Sequence, residues 1–166
     1  MPRLGLAIAA ITFCVDWAVK LYFLYGLDFI NLKEGQGFEV TSFFNIIMVW
    51  NPGVSFGLFP AESDAGRYFL IGFAAVVIVI LTIWLMQVTN RWLAVSLGFI
   101  IGGASANVVD RIVYGKVADF FHFYIGDWHW YVFNIADAAI VVGVGLLIVD
   151  SLFSPEPAKQ ADDRVS

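Results

Sequence analysis

Four long apolar runs dominate the chain and alternate with shorter polar segments. A helix needs about 20 apolar residues to cross the hydrocarbon core of a membrane, and each run is close to that length. The pattern therefore predicts four transmembrane helices, over Leu4–Tyr25, Tyr68–Met86, Trp92–Val109 and Tyr131–Val149. Because little chain remains outside these runs, we expect a single domain over residues 1–153.

The segments between the runs predict how the helices are joined. Gln87–Arg91 is short, so the second and third helices should form an antiparallel hairpin. In the longer first loop, Gly26–Arg67, two short strands are predicted at Phe29–Leu32 and Phe38–Val40, and Phe43–Trp50 continues in an extended or interfacial helical form. The predicted fold class is an all-α polytopic membrane protein with a small extracytoplasmic β-sheet in the first loop.

Four spans would place both termini on one side of the membrane and the first and third loops on the other. The third loop, Asp110–Trp130, ends among aromatic residues of the kind found at membrane interfaces. Residues 154–166 are polar and predict a disordered tail. Lysine and arginine are divided almost evenly between the two sides, so the positive-inside rule does not choose an orientation.

Composition agrees with a membrane protein and narrows its chemistry. The 166 residues are 60% hydrophobic and 14% charged, with a mean hydropathy of +0.81. A net charge of -5 argues against a nucleic-acid partner. Cys14 is the only cysteine, and His122 and His129 lie outside the predicted helices without a Glu-x-x-His arrangement. We therefore predict no metal site and no cofactor.

The polar residues in or near the helices fall on one side of the predicted bundle. Residues that are three or four apart share a helix face, so several of these polar residues are expected to pair. The set comprises Asp16 and Lys20 in the first helix, Asn51 and Gly53 in the first loop, Asn107, Asp110 and Arg111 near the end of the third helix, and Asn134 and Asp137 in the fourth.

Asp137 is the most costly of these residues. The predicted fourth helix places it six residues in, about 9 Å below Tyr131. A charge in such a helix costs about 2.5 to 3.5 kcal/mol on insertion scales. Asp119 precedes the segment that returns to this helix, so the two carboxylates are expected to meet. Two facing carboxylates cannot both ionise easily, which leaves an acid beside a base for amide hydrolysis, with the proton unassigned.

Each charged residue also has a structural interpretation. Asp16 and Lys20 are expected to form an ion pair that steadies the first helix, and Asp110 with Arg111 fits a helix-end pair. Asp119 alone fits a helix cap. At the level of the whole protein, the alternatives to a hydrolase are a proton-coupled transporter that uses aspartates as relay groups, and a scaffold whose charges only pair helices.

Four motifs in sequence order carry a resemblance to a known family. They are Asp16-x-x-x-Lys20; Asn51-Pro52-Gly53-Val54-Ser55-Phe56-Gly57; Gly103-x-x-x-Asn107-x-x-Asp110-Arg111 with Val117-Ala118-Asp119-Phe120; and Phe133-Asn134-Ile135-Ala136-Asp137. Over nearly its whole length the chain resembles the bacterial lipoprotein signal peptidases, also called signal peptidase II. One departure is Val54-Ser55, where the family often has two alanines, so substrate and inhibitor preference are expected to differ in detail.

The resemblance implies an aspartic endopeptidase of the bacterial inner membrane, with cytoplasmic termini and a site near the periplasmic face. Such enzymes cut prolipoproteins just before the diacylglyceryl-modified cysteine, act among membrane lipids and bind cyclic peptides of the globomycin type. Asp119 and Asp137 match the catalytic pair, and Asp16, Lys20 and Asp110 match supporting positions. The positions that match a substrate groove are Asn51, Gly53, Gly103, Asn107, Arg111 and Asn134. We expect a monomer.

Overall fold

The computed structural model describes residues 1–53 and 64–153, and in this part of the chain four helices are long and apolar enough to cross a membrane. They are α1 (Pro2–Leu21), α2 (Asp64–Gln87), α3 (Arg91–Val113) and α4 (Ile135–Phe153). A π-helical turn, Tyr22–Gly26, extends α1. The predicted tail over 154–166 lies outside the described residues, as does the Val54-Ser55 departure.

The third helix forms the centre of the bundle, because α1, α2 and α4 all pack against it. Small residues allow the close approach, as in many membrane helix pairs. A Cβ on Gly102 would lie 2.5 Å from the Ala9 carbonyl oxygen of α1, and a Cβ on Gly103 would lie 2.5 Å from the Ala136 carbonyl oxygen of α4. Glycine at these two positions is therefore required by helix packing.

The connection between α2 and α3 is as short as predicted. Helix α2 ends at Gln87, and α3 begins at Arg91. Asn90 caps α3, since its side-chain oxygen accepts the Trp92 N–H at 2.8 Å. An apolar cluster fills this end of the bundle with Ala9, Leu85, Val88, Ala94, Leu97 and Ile101.

A four-stranded antiparallel sheet lies at the other end of the bundle. Its strands are β1 (Gly37–Thr41), β2 (Phe44–Asn51), β3 (Val117–Ile125) and β4 (Trp128–His129), which pair in that order. The prediction of a small sheet is confirmed, but its placement in the first loop alone is wrong. The two strands β3 and β4 come from the segment between α3 and α4, so the sheet joins two distant parts of the chain.

Within the first loop the strand predictions have mixed outcomes. The strand predicted at Phe38–Val40 is confirmed as β1, and the extended alternative for Phe43–Trp50 is confirmed as β2. The strand predicted at Phe29–Leu32 is wrong, because Phe29–Asn31 forms a 3-10 turn. Asp28 adopts a left-handed backbone and accepts the Asn31 side-chain N–H at 2.7 Å, which closes the turn and lets Phe29 pack among other aromatic rings.

The helix ends near the sheet also differ from the apolar runs. Helix α3 continues to Val113, so Asp110 and Arg111 are helical, and α4 begins only at Ile135. The cause of the late start is sheet pairing: the Phe133 carbonyl accepts the Phe121 N–H at 2.9 Å, and the Phe133 N–H donates back to Phe121 at 3.1 Å. The chain is therefore still extended at Phe133.

Candidate active site

The pairing of β2 with β3 brings Asn51 beside Asp119. Asn51 is the last residue of β2 and lies opposite Val117, two residues before Asp119. Its side-chain Nδ2 donates to Asp119 Oδ2 at 3.0 Å, while its Oδ1 accepts the Gly53 N–H at 3.1 Å. Because that backbone N–H can only donate, it orients the Asn51 amide with its donor toward the aspartate.

The second oxygen of Asp119 is bound from the start of α4. Asn134 Nδ2 donates to Asp119 Oδ1 at 2.6 Å. Asp119 is 1% exposed, so both of its oxygens accept side-chain amide hydrogens in a buried environment. These two amide donors provide hydrogen bonds to a buried carboxyl group that would otherwise carry a large desolvation cost.

Asp137 lies in the first turn of α4 and shares the partner Asn134. The Asp137 N–H donates to Asn134 Oδ1 at 2.9 Å, and the Asn134 N–H donates to Asp137 Oδ2 at 3.4 Å. This reciprocal pattern is that of a capping box. The prediction that Asp137 lies six residues inside the helix is therefore wrong, since it is the third residue of α4.

A third asparagine completes the contacts of the two aspartates. Asn107 of α3 donates from Nδ2 to Asp137 Oδ1 at 2.8 Å, and its Oδ1 accepts Asn134 Nδ2 at 3.2 Å. Asp119 and Asp137 are thus connected through two amide side chains. Asp137 is half-buried, so water can reach the less enclosed member of the pair.

Burial and charge favour a bound proton at this pair. Burial is the main cause that raises the pKa of Asp119 to about 8, and the charge of Asp137 raises it further, while the hydrogen bonds from Asn51 and Asn134 act in the opposite direction. A carboxyl that stays protonated beside an ionised one can serve as an acid next to a base. Interacting carboxyl groups titrate as a pair, so we assign the proton to neither aspartate alone.

Arg111 connects α3 to the end of β2. Its Nη2 donates to the Gly53 carbonyl at 2.8 Å, and its Nη1 donates to the Asn107 carbonyl at 3.1 Å. Its Nε is buried without a hydrogen-bond partner among the described residues. The helix-end pair considered for Asp110 and Arg111 is therefore wrong, because Arg111 bonds to carbonyls and Asp110 binds another cation.

That cation is Lys20, the centre of a buried ion cluster. Lys20 Nζ lies 2.7 Å from Asp16 Oδ2 and 2.7 Å from Asp110 Oδ2, and it donates to Asn107 Oδ1 at 3.2 Å. Lys20 is 2% exposed, and both aspartates are 0% exposed. The predicted Asp16–Lys20 pair is confirmed, and Asp110 is a third member that spacing along one helix could not indicate.

Two backbone groups at the site were missed by the sequence prediction. The Ala118 N–H donates to Asp110 Oδ2 at 3.2 Å, and the Ala136 N–H donates to Asp16 Oδ1 at 2.8 Å. Alanine has no polar side chain, so only its position directly before each site aspartate could have drawn attention to it. Asp119 lies in β3, so the helix-cap interpretation of this residue is wrong.

Gly103 and the two histidines complete the set of predicted positions. Gly103 is buried against Ala136, which gives it a packing role, and its contact with a substrate stays a prediction. His129 Nδ1 and His122 Nε2 lie 3.2 Å apart on the sheet. Among residues 1–53 and 64–153, no group of three or more histidine, cysteine or acidic side chains is arranged to hold a metal ion.

Four apolar helices, a small sheet and two aspartates that share a hydrogen-bond partner at the sheet end of the bundle define a multi-pass membrane protein with a candidate hydrolytic site. The family model described as "Signal peptidase (SPase) II" matches residues 8–153. The chain therefore belongs to the signal peptidase II family, and the membership supports cleavage of lipoprotein signal peptides by a membrane protease. It also favours the hydrolase hypothesis over the transporter and the scaffold.

Individual relatives agree with this assignment. The lipoprotein signal peptidase of Methylocella silvestris is 44% identical over 160 residues, which cover 95% of this chain and 91% of the relative. That of Beijerinckia indica subsp. indica is 45% identical over 163 residues, with 98% and 96% covered. Two solved structures, each described as a bacterial membrane enzyme, share the fold. The first has a TM-score of 0.78 at 24% identity, and the match covers 98% of this chain and 94% of that chain. The second has a TM-score of 0.74 at 26% identity, and the match covers 91% of this chain and 94% of that chain.

Proposed function

We propose that the chain is an aspartic endopeptidase that hydrolyses the peptide bond immediately before the diacylglyceryl-modified cysteine of a prolipoprotein. Asp119 and Asp137 are its catalytic pair. The observation that carries this proposal is the shared partner Asn134, which hydrogen-bonds to Asp119 through its side chain and to Asp137 through both side chain and backbone. This contact brings a carboxylic acid and a carboxylate into one polar site.

The chemistry follows from one proton shared by two carboxyl groups. The ionised aspartate accepts a proton from water, and the resulting hydroxide forms a bond to the scissile carbonyl carbon. The protonated aspartate donates a hydrogen bond to the carbonyl oxygen and then transfers a proton to the leaving nitrogen as the C–N bond breaks. The products are a signal peptide with a new carboxylate and a lipoprotein with a free α-amino group on its lipidated cysteine.

The amide side chains around the pair keep the carboxyl groups oriented. Asn51, Asn107 and Asn134 each direct an N–H donor to a site aspartate. In each case the amide oxygen is occupied by another donor, so rotation of the amide would break two contacts at once. The carboxylates are thus held in place before substrate arrives, which lowers the reorganisation needed during reaction.

Substrate binding falls to groups on the same side of the bundle. We expect Arg111 to donate to a carbonyl of the extended substrate backbone through its buried Nε, which has no hydrogen-bond partner among residues 1–53 and 64–153. Asn51, Gly53, Gly103, Asn107 and Asn134 complete the proposed groove. The acyl chains of the substrate remain among membrane lipids and apolar helix surfaces, where each buried methylene contributes about 0.8 kcal/mol.

The proposal includes a location and an inhibitor class. We place the enzyme in the bacterial inner membrane as a monomer, with cytoplasmic termini and the sheet end of the bundle at the periplasmic face. A cyclic peptide of the globomycin type is expected to compete with substrate because it offers a peptide backbone and an apolar chain to the same groove.

The test is a cleavage assay with the detergent-purified protein. A prolipoprotein carrying diacylglycerol on its cysteine is incubated with the protein, and the products are identified by mass spectrometry. We expect a freed signal peptide that ends immediately before the cysteine, and we expect the unmodified preprotein to remain intact. No cleavage of the lipidated substrate, or cleavage at another bond, would contradict the proposal. Added chelator is expected to leave the rate unchanged.

A further inference from the structure

We propose that Asp16 and Asp110, joined by Lys20, are positioning residues that hold the catalytic pair through the backbone amide preceding each catalytic aspartate. The proposal rests on the proposed function, since it assigns a positioning role in that reaction to residues that do not touch the catalytic carboxyl groups. It goes beyond an ion pair that steadies a helix, because it identifies two backbone N–H groups, of Ala118 and Ala136, that the buried carboxylates hold.

The two contacts are equivalent in position but come from different helices. Asp110 of α3 accepts the N–H of Ala118 at 3.2 Å, directly before Asp119. Asp16 of α1 accepts the N–H of Ala136 at 2.8 Å, directly before Asp137. Both alanines are 0% exposed. A buried N–H without a partner is costly, so each carboxylate fixes one backbone position beside the chemistry.

Lys20 joins these two supports into one unit. Its ammonium has three N–H donors, and three acceptors surround it: Asp16 Oδ2, Asp110 Oδ2 and Asn107 Oδ1. Because an ammonium can only donate, it also forces the oxygen of Asn107 toward itself and the Nδ2 toward Asp137. Strand β3 and helix α4 carry the two catalytic residues. Both elements are therefore held by the same buried Lys20 charge, β3 through Asp110 and α4 through Asp16.

The two supporting aspartates differ in how they use their oxygens. Asp110 uses Oδ2 for both Lys20 and the Ala118 N–H, and its Oδ1 has no hydrogen-bond partner in the described part of the chain. Asp16 places Oδ2 at 2.7 Å from Lys20 Nζ, an ion-pair contact that lacks hydrogen-bond geometry in the described part of the chain, and uses Oδ1 for the Ala136 N–H. An asparagine can therefore replace Asp110 and keep both contacts, whereas at position 16 its NH2 group must face either a cation or an N–H donor.

The experiment compares kcat and KM for a diacylglyceryl-modified prolipopeptide in Asp110→Asn, Asp16→Asn and Asp110→Leu, each normalised to the folded fraction. We expect Asp110→Asn to keep kcat within about threefold, and Asp16→Asn and Asp110→Leu to lose about 30-fold or more, with KM changed less than about twofold. A role in helix stability alone would lower the folded fraction and leave kcat per folded molecule unchanged. An ion pair valued for its charge alone would make the two asparagine variants alike.

Equal kcat in the two asparagine variants, or a loss of about 30-fold in folded Asp110→Asn, would overturn the proposal. If one of Asp110→Leu and Asp16→Asn does not fold, the other is compared with Asp110→Asn, and a loss of about 30-fold in folded Asp110→Asn contradicts the proposal in either case. Amide hydrogen exchange gives a readout that is independent of activity. Ala118 should keep its protection in Asp110→Asn. Ala136 should lose it in a folded Asp16→Asn, because the new amide turns its oxygen to the Lys20 cation and its NH2 group to the Ala136 N–H. If the wild-type protein cleaves nothing, the proposed function fails while the exchange measurement still tests the positioning contacts.

Discussion

The two ends of the α3–α4 pair contain the same kind of contact in different surroundings. At the sheet end, Asn107 donates to Asp137 at 2.8 Å. At the opposite end, Asn90 donates to Asp150 at 2.9 and 3.2 Å. In both places an asparagine donates to an aspartate of α4, so this contact alone does not mark a catalytic site.

The surroundings separate the two ends. Asp150 is half-buried and lies beside Trp92, and its partner Asn90 also caps α3. Around Asp137 lie a second carboxylate, three amide side chains and a buried ion cluster. Each buried ion costs several kcal/mol of desolvation, and apolar packing holds helices together at the other end without that cost. The proposed catalytic role would account for burying so many charges at one end of the bundle.

The largest effect is expected at the buried member of the pair. Asp119→Asn removes the ability to exchange a proton while it preserves the size of the side chain, so kcat should fall by about 1000-fold or more. The measurement is single-turnover cleavage of lipidated prolipoprotein, with the folded fraction checked by size-exclusion chromatography. Cleavage within about tenfold of wild type in the folded variant would sink the assignment of Asp119.

A smaller loss is expected from the asparagine that orients Asp137. Asn107→Leu removes the Nδ2 donor and leaves Lys20 with one fewer acceptor, and the expected loss in kcat is about 100-fold. Asn90→Leu, the matched change at the other end, should keep kcat within about twofold. Similar rates for the two variants would show that the contacts at the two ends are equivalent.

The cleavage rate should fall above a limiting pH, which is set by the proton that the two aspartates share. Since burial raises the pKa of Asp119 to about 8, the rate should fall about tenfold per pH unit above that value. Asn51→Leu removes a hydrogen bond that lowers this pKa, so its limit should move to higher pH. Asp150→Asn is the control and should not move it. A limit that stays in place in Asn51→Leu would contradict the link to Asp119.

The raised pKa of Asp119 also makes the stability of the fold depend on pH. This pKa is 3.8 in the reference state and about 8 in the folded protein. Between these two pH values the native state therefore binds a proton that the unfolded state lacks. The free energy of unfolding should therefore decrease as pH rises through this window. Asp119→Asn should flatten the dependence, as measured by thermal unfolding in detergent between pH 5 and pH 8.

The smallest effect is expected from the helix cap at the far end. Asn90→Ala removes the acceptor for the Trp92 N–H and the donor to Asp150, and it should lower the free energy of unfolding by about 1 kcal/mol. The cleavage rate of the folded protein should not change, because this end lies away from the proposed catalytic pair. A loss of activity without loss of stability would argue for a coupling between the two ends.

The sequence predicted those parts of the site that depend on local spacing. Asp16 and Lys20 lie one helical turn apart, and their pairing is confirmed. The return of the chain after α3 was enough to predict that Asp119 and Asp137 belong to one site. The contacts of Asp110 could not be predicted, since its partners lie on α1 and β3 and are brought together only by the fold.

The parts of the fold that were missed depend on non-local pairing. Strand β3 pairs with β2, about 70 residues earlier in the chain, and nothing near Val117–Ile125 specifies that partner. The start of α4 was placed too early because Tyr131 and Phe133 continue the apolar run. Hydropathy does not distinguish an extended apolar segment from a helical one, and the Asn134 cap decides where the helix begins.

The most direct test of the central claim uses two aspartates of the same helix. Asp137→Asn and Asp150→Asn make the same chemical change near opposite ends of α4. Both folded proteins are assayed with the same lipidated prolipoprotein, and the released signal peptide is measured by mass spectrometry. We predict a loss of about 1000-fold or more for Asp137→Asn and a rate within about twofold of wild type for Asp150→Asn. Near-normal cleavage by Asp137→Asn, or equal losses in the two variants, would contradict the central claim.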